Sequence, residues 1–124
     1  MTATSAIATA INAKFASTDP VLTLKQAQTA TTDYVVLFVS RRYVDKRLAS
    51  GEVSVPGGRV IVRSCCLTEA NLEVFGARVT AALEDQILAD GVTGPFVFES
   101  ESDATDDDVT LGTTWFVRDQ HWTF

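Results

Sequence analysis

The chain has 124 residues, 46 % of them hydrophobic and 21 % charged, with a formal net charge of −6. That length makes one domain able to bury roughly two-thirds of its unfolded surface, and the composition excludes global disorder. Its only cysteines, Cys65 and Cys66, are adjacent, and His121 is its only histidine, which excludes a disulfide framework, a paired-cysteine metal site and a two-histidine metal site. The first ten residues have no basic stretch and no apolar run longer than Ala6 to Ala8, so neither a signal peptide nor a membrane span is expected. The expectation is an intracellular product with no membrane partner.

In chain order, Thr4 or Ser5 is expected to cap a first helix with Ile7, Ile11 and Phe15 as its apolar stripe. Asp19-Pro20 ends it, because the residue before a proline is pushed out of the helical region. Val21 to Ala30 is short, mixed and Thr/Gln-rich. Tyr34 to Tyr43 is the strongest strand signal, and the unbroken run Val35 to Val39 predicts a central strand covered on both faces. Arg41 to Gly51 leaves the sheet as a basic excursion with a helical turn at Val44 to Ala49. Val55-Pro56-Gly57-Gly58 reads as a turn.

Arg59 to Leu67 alternates, Val60 and Val62 against Ile61 and Arg63. Neighbours on a strand point to opposite faces, so one of Cys65 and Cys66 is expected buried and the other half-exposed. Thr68 caps a helix, with Glu69 near the positive end of its dipole. The spacing of Leu72, Phe75, Val79, Leu83 and Ile87 predicts that this helix runs from Glu69 to Asp90, about 33 Å, and closes at Gly91. Gly76 beside the stripe implies close approach of another element. Pro95 to Phe98 and Thr113 to Phe124 are strands, the last with Phe116, Trp122 and Phe124 on one parity and Trp115 and Val117 on the other. Residues 1–124 thus read as a single α+β domain: a mostly antiparallel four- to five-stranded sheet with an N-terminal helix and one long helix packed on one face.

Chemistry is sparse. No Gly-x-Ser-x-Gly elbow accompanies His121, which reads as a solvated strand residue. Gly57-Gly58-Arg59 precedes a strand rather than a helix, so it lacks the context of a phosphate-cradling loop. Glu99, Glu101, Asp103, Asp106, Asp107 and Asp108 fall within ten residues, but their order lacks the alternation and mid-loop glycine of a calcium loop. A solvated or partner-facing acidic loop is expected, with no catalytic residue, metal or cofactor.

Charge is segregated: residues 40–63 carry net +4 and residues 64–110 net −10. Arg41, Arg42, Lys46 and Arg47 could grip phosphate, yet only Tyr43 stands among them as an aromatic. Complementary use between subunits is the preferred reading. It pairs Arg41, Arg42, Lys46 and Arg47 of one copy with Asp103, Asp106, Asp107 and Asp108 of the next, a head-to-tail contact of the kind that closes rings.

One block resembles a known family. Pro56-Gly57-Gly58-Arg59-Val60-Ile61-Val62-Arg63 is followed by Thr68-Glu69-Ala70-Asn71, the long helix to Leu88, and Pro95-Phe96-Val97-Phe98-Glu99. An Asp-rich loop and Gly112-Thr113-Thr114-Trp115-Phe116 complete it. In motif, element order and length this is similar to the tail terminator (tail-completion) proteins of long-tailed bacteriophages, particularly those of actinobacteria. The resemblance implies a non-catalytic virion protein at the head–tail interface, assembled in the host cytoplasm. It implies a homohexameric ring that caps the tail tube, ends tube polymerisation and meets a head-side connector or stopper protein. Genomic DNA would pass through the lumen without sequence-specific binding. The alternatives are another head–tail connector, stopper or minor tail protein and, further off, a small α+β binding protein or enzyme.

Overall fold

In the computed structural model, described over residues 3–15, 19–41, 58–88, 94–108 and 114–124, the first helix, α1, spans Ala3–Asn12 and buries Ala3, Ala6, Ile7 and Ile11. It begins earlier than expected, so Thr4 and Ser5 lie inside its first turn rather than at the cap. Phe15, beyond its end, is also buried.

Two small elements follow in a stretch where none is expected: β1 (Val21–Leu22) and α2 (Leu24–Ala27). The helix signal was present in Thr23-x-x-Gln26. Thr23 Oγ1 accepts from the Gln26 N–H (3.2 Å) while Gln26 Oε1 accepts from the Thr23 N–H (2.9 Å), a reciprocal capping box that satisfies two end donors.

The remaining strands are β2 (Tyr34–Arg41), β3 (Gly58–Cys66), β4 (Val97–Glu101), β5 (Thr105–Asp108) and β6 (Thr114–Thr123), with α3 (Glu69–Leu83) after β3. They form one six-stranded sheet in the order β1-β2-β3-β6-β4, with β5 also on β6. The sheet is mixed, since β1 pairs with β2 in parallel, while every other pairing is antiparallel. The middle of the sheet is β3. On its outer side β2 is paired, among the described residues, only by the two residues of β1, so β3 rather than the unbroken apolar run is the middle strand.

Val35, Val60, Val62, Cys66 and Trp122 share one face and meet Ile7 and Ile11 of α1 and Leu72, Phe75, Val79 and Leu83 of α3 in a single core. Thr68 caps α3 by accepting from the Asn71 N–H (3.3 Å), as its sequence implies. Gly76 allows the expected close approach, for its carbonyl accepts from Gln120 Nε2 (3.3 Å) and a Cβ would stand 3.3 Å from that nitrogen.

Three further expectations need correction. The helix stops at Leu83, not Asp90, because the next backbone turns to the sheet: Glu84 bridges Phe96, and the Asp85 N–H donates to the Phe96 carbonyl (3.1 Å) with Asp85 at φ 57°. Aspartate is among the few residues that adopt this left-handed conformation readily. Ile87 is consequently 62 % exposed, and Leu88 takes the buried place. Gly91 lies outside the described residues, as does the turn expected at Val44 to Ala49. Second, Cys65 and Cys66 are both buried. Cys66 faces the core, and Cys65 lies on the other face in a groove walled by Leu24, Ala27, Tyr34 and Trp115. Third, the acidic stretch is not a loop: it supplies β4 and β5, which follow one another along β6.

Candidate functional site

The acidic stretch is held on the sheet edge by an irregular hairpin. The register against β6 shifts between Phe98 and Ser100, and the five residues from Glu101 to Thr105 match the four from Gln120 to Val117. Each is a one-residue bulge of the kind that twists and blunts an edge. At the second, Ser102 is fastened twice: its N–H donates to the Asp119 carbonyl (2.9 Å) and its Oγ accepts from the Asp119 N–H (3.0 Å).

Several acids are engaged within the subunit. Glu99 pairs with Arg59 at 2.9 Å and Asp119 with Arg63, which donates through Nε (2.9 Å) and an Nη (3.1 Å). Arg63 also lies over the Phe38 ring, 5.3 Å from its centroid. Arg118, its side chain only 19 % exposed, reaches Glu73 of α3 at 2.7 Å and Glu101 at 3.5 Å. The Glu73 hydrogen bond, then the charges of Glu73, Glu101 and Asp103, raise the Arg118 pKa against the lowering effect of burial. This network joins the back of α3 to β6 and β4. The half-exposed pairs each contribute little to stability; their effect is to spend part of the acidic charge inside the molecule.

The interface residues expected from sequence fall at separated places. Arg42, Lys46 and Arg47 lie outside the described residues. Arg41 ends β2 opposite Gly58, which in turn exchanges two backbone hydrogen bonds with Phe124 (2.7 and 2.9 Å). Asp106, Asp107 and Asp108 make up most of β5, with Asp108 opposite Thr114. From the Thr114 level to the Phe124 level is ten strand residues, about 33 Å at the usual rise. Arg41 and Asp108 therefore stand at opposite ends of the sheet. Asp103 is exposed and sits between, beside Arg118.

The face away from α1 and α3 carries Phe38, Ile61, Arg63, Val117, Asp119 and His121. Phe38, Ile61, Val117 and His121 are all half-buried. Among the described residues only the short α2 reaches this face, through Leu24 and Ala27, at a groove of about 340 Å³ whose far side is the edge-to-face pair Tyr34–Trp115 (5.3 Å). A second groove, about 450 Å³, runs between α1, α2 and the outer edge of β2 over Val36 and Leu37. Arg59, Arg63 and Arg118 as partners of Glu99, Asp119 and Glu73 were not legible in the sequence, since each pair joins residues 40 to 56 positions apart. Among the described residues, no group of three or more His, Cys, Asp or Glu is placed to hold a metal ion, and no helix is long and apolar enough to cross a membrane.

Among the described residues, the sheet has α1 and α3 on one face, a largely open second face, and two edges of unlike character. No protein-family profile matches the chain, and no curated protein matches it.

Proposed function

We propose that this chain is a structural subunit of a bacteriophage neck, a tail-terminator-like protein that assembles as a ring, most simply a homohexamer, on the end of the tail tube. In this reading the ring ends tube polymerisation, meets the head-side connector or stopper on its other rim, and lets genomic DNA through its lumen. No catalytic step, metal or cofactor enters the reading.

The observation that supports it most is the asymmetry of the sheet. The helices α1 and α3 cover one face, and the opposite edges, β1–β2 on one side and β4–β5 on the other, differ in charge and length. Unlike edges suit heterologous, head-to-tail contacts, and such contacts close into rings when the rotation per subunit permits. The motif resemblance from Pro56 to Phe116 supplies the placement in the neck.

Sedimentation velocity and negative-stain micrographs of the purified protein, alone and mixed with tail tubes, test the proposal. Annular particles, and caps at tube ends that halt elongation, are expected. A monomer at all concentrations that leaves tube ends bare would overturn it.

A further inference from the structure

We infer that the outer edge of β2, from Leu37 to Arg41, is the seat for the β4 edge of a second copy of this chain, which joins it antiparallel and carries one sheet into the next. The inference rests on the ring proposed above and specifies which backbone groups make the contact.

β1 covers β2 only at Val35 and Val36. The Val35 N–H donates outward, to the Pro20 carbonyl (2.8 Å). Backbone groups alternate in direction along a strand, so the N–H and C=O of Val39 and Arg41 also point outward. Among the described residues no strand pairs them. An unmatched run of this length is a template for strand addition.

The opposite edge offers a matching run. β4 has five residues, all exposed, including Val97 at 58 % and Phe98 at 43 %. Its outer side has no strand partner among the described residues. The two runs lie at the same end of the sheet. Reading across the registers, Ser40, Arg59, Thr123 and Val97 form one row, and Leu37, Val62, Gln120 and Glu101 another. Turning the subunit about an axis along the strands, without sliding it, brings Val97 of one copy beside Ser40 of the next and Glu101 beside Leu37. The strands then run antiparallel, because β4 opposes β6 and β6 runs with β2.

Charge selects this pairing over its rivals. The β4 edge carries Glu99 and Glu101 and continues to Asp103. Two such edges would repel, since like charges directly opposite on paired strands are unfavourable. The β2 edge has no acid from Leu37 to Arg41, so it meets the acidic edge without that repulsion. The bulge at Glu99 leaves the Val97–Phe98 and Ser100–Glu101 steps on either side of it for pairing.

The test is the double variant Ser40→Cys/Val97→Cys in the full chain, oxidised mildly and run on a non-reducing gel, with each single variant as control. Both positions lie in one row on the open face, and the native thiols are buried. A ladder of covalent multimers from the double variant alone is expected. Val39→Pro is the second arm: it deletes an outward donor that the subunit's own sheet does not use, a place where edge strands accept proline. It should convert the assembly to monomer while leaving the circular dichroism spectrum unchanged. Rings in micrographs together with no ladder, or rings that persist in folded Val39→Pro, would overturn the edge pairing while leaving the ring itself standing. Wild-type protein that never forms rings would instead remove the ring and this inference with it.

Discussion

Burial holds the Cys66 thiol neutral and pushes its pKa from the ordinary 9.0 up to about 12, with the charges of Asp33 and Cys65 adding to the rise. The unfolded chain ionises this thiol above pH 9 while the folded chain keeps its proton. The associated stability is fully present below that pH and lost as pH rises towards 12, at about 1.4 kcal/mol per pH unit. Urea unfolding at pH 8 and pH 10.5 should therefore show a loss in the wild type exceeding that in Cys66→Ala by about 2 kcal/mol. Equal losses in the two proteins would remove the buried thiol as the cause. Gly58 is a second sensitive position for a different reason. A Cβ there would lie 2.5 Å from Phe124 Cζ and 3.0 Å from the Ser40 carbonyl oxygen, so Gly58→Ala must displace the closing ring of the sheet and is expected to cost about 1–3 kcal/mol in a thermal or urea melt. An unchanged melt would mean that Phe124 gives way freely. Cys66 was legible in the sequence because it continues the parity of Val60 and Val62. Cys65 was not, because its cover comes from the Leu24–Ala27 helix and from Trp115, fifty residues further on.

The end of α3 shows how a periodic signal can outrun the element it describes. Leu72, Phe75, Val79 and Leu83 are all buried as their spacing requires, but Ile87 continues the same spacing beyond the last helical turn and stands in solvent. Periodicity reports which residues would share a face if the helix continued. It does not register the competing backbone contacts of Glu84 and Asp85 with Phe96. Leu83→Ala should accordingly cost about 2–5 kcal/mol as a core truncation, and Ile87→Ala less than about 0.5 kcal/mol as a surface change. Comparable costs for the two in urea unfolding would mean that the helix extends through Ile87 after all. The same logic explains the acidic edge. Asp-rich composition argues for a loop, whereas Ser102 and Asp119 fasten the chain to β6 at the bulge and keep the segment in the sheet. The β3–α3–β6 framework was legible because alternation, a cap and a helical stripe agree there. The β1–α2 corner was not, since a two-residue strand exists only through its partner Val35–Val36.

For the whole molecule, the separation of Arg41 from Asp108 by about 33 Å of strand makes salt a discriminator between two assemblies. If neighbours sit level, as edge pairing of β2 with β4 requires, all Arg41 ends share one rim and all Asp106 to Asp108 segments share the other. Each rim then gathers like charge, and the ring should hold equally well or better as the screening length falls from about 10 Å at 0.1 M salt to about 3 Å at 1 M. If instead Arg41 of one copy grips residues 106–108 of the next, neighbours must be offset by nearly the length of the sheet, giving a steep helical or stacked contact that salt weakens. The level arrangement is favoured because it satisfies outward-pointing backbone donors and acceptors of the two edges, whereas the offset one relies on exposed ion pairs of small individual worth. Sedimentation at both salt concentrations, on wild type and on Arg41→Glu/Arg42→Glu/Arg47→Glu, separates the two. The level ring predicts that both proteins assemble and that neither loses its oligomer at high salt. A ring that dissolves with salt, or that fails to form in the charge-reversed chain, would assign the contact to the charged segments and refute the level arrangement.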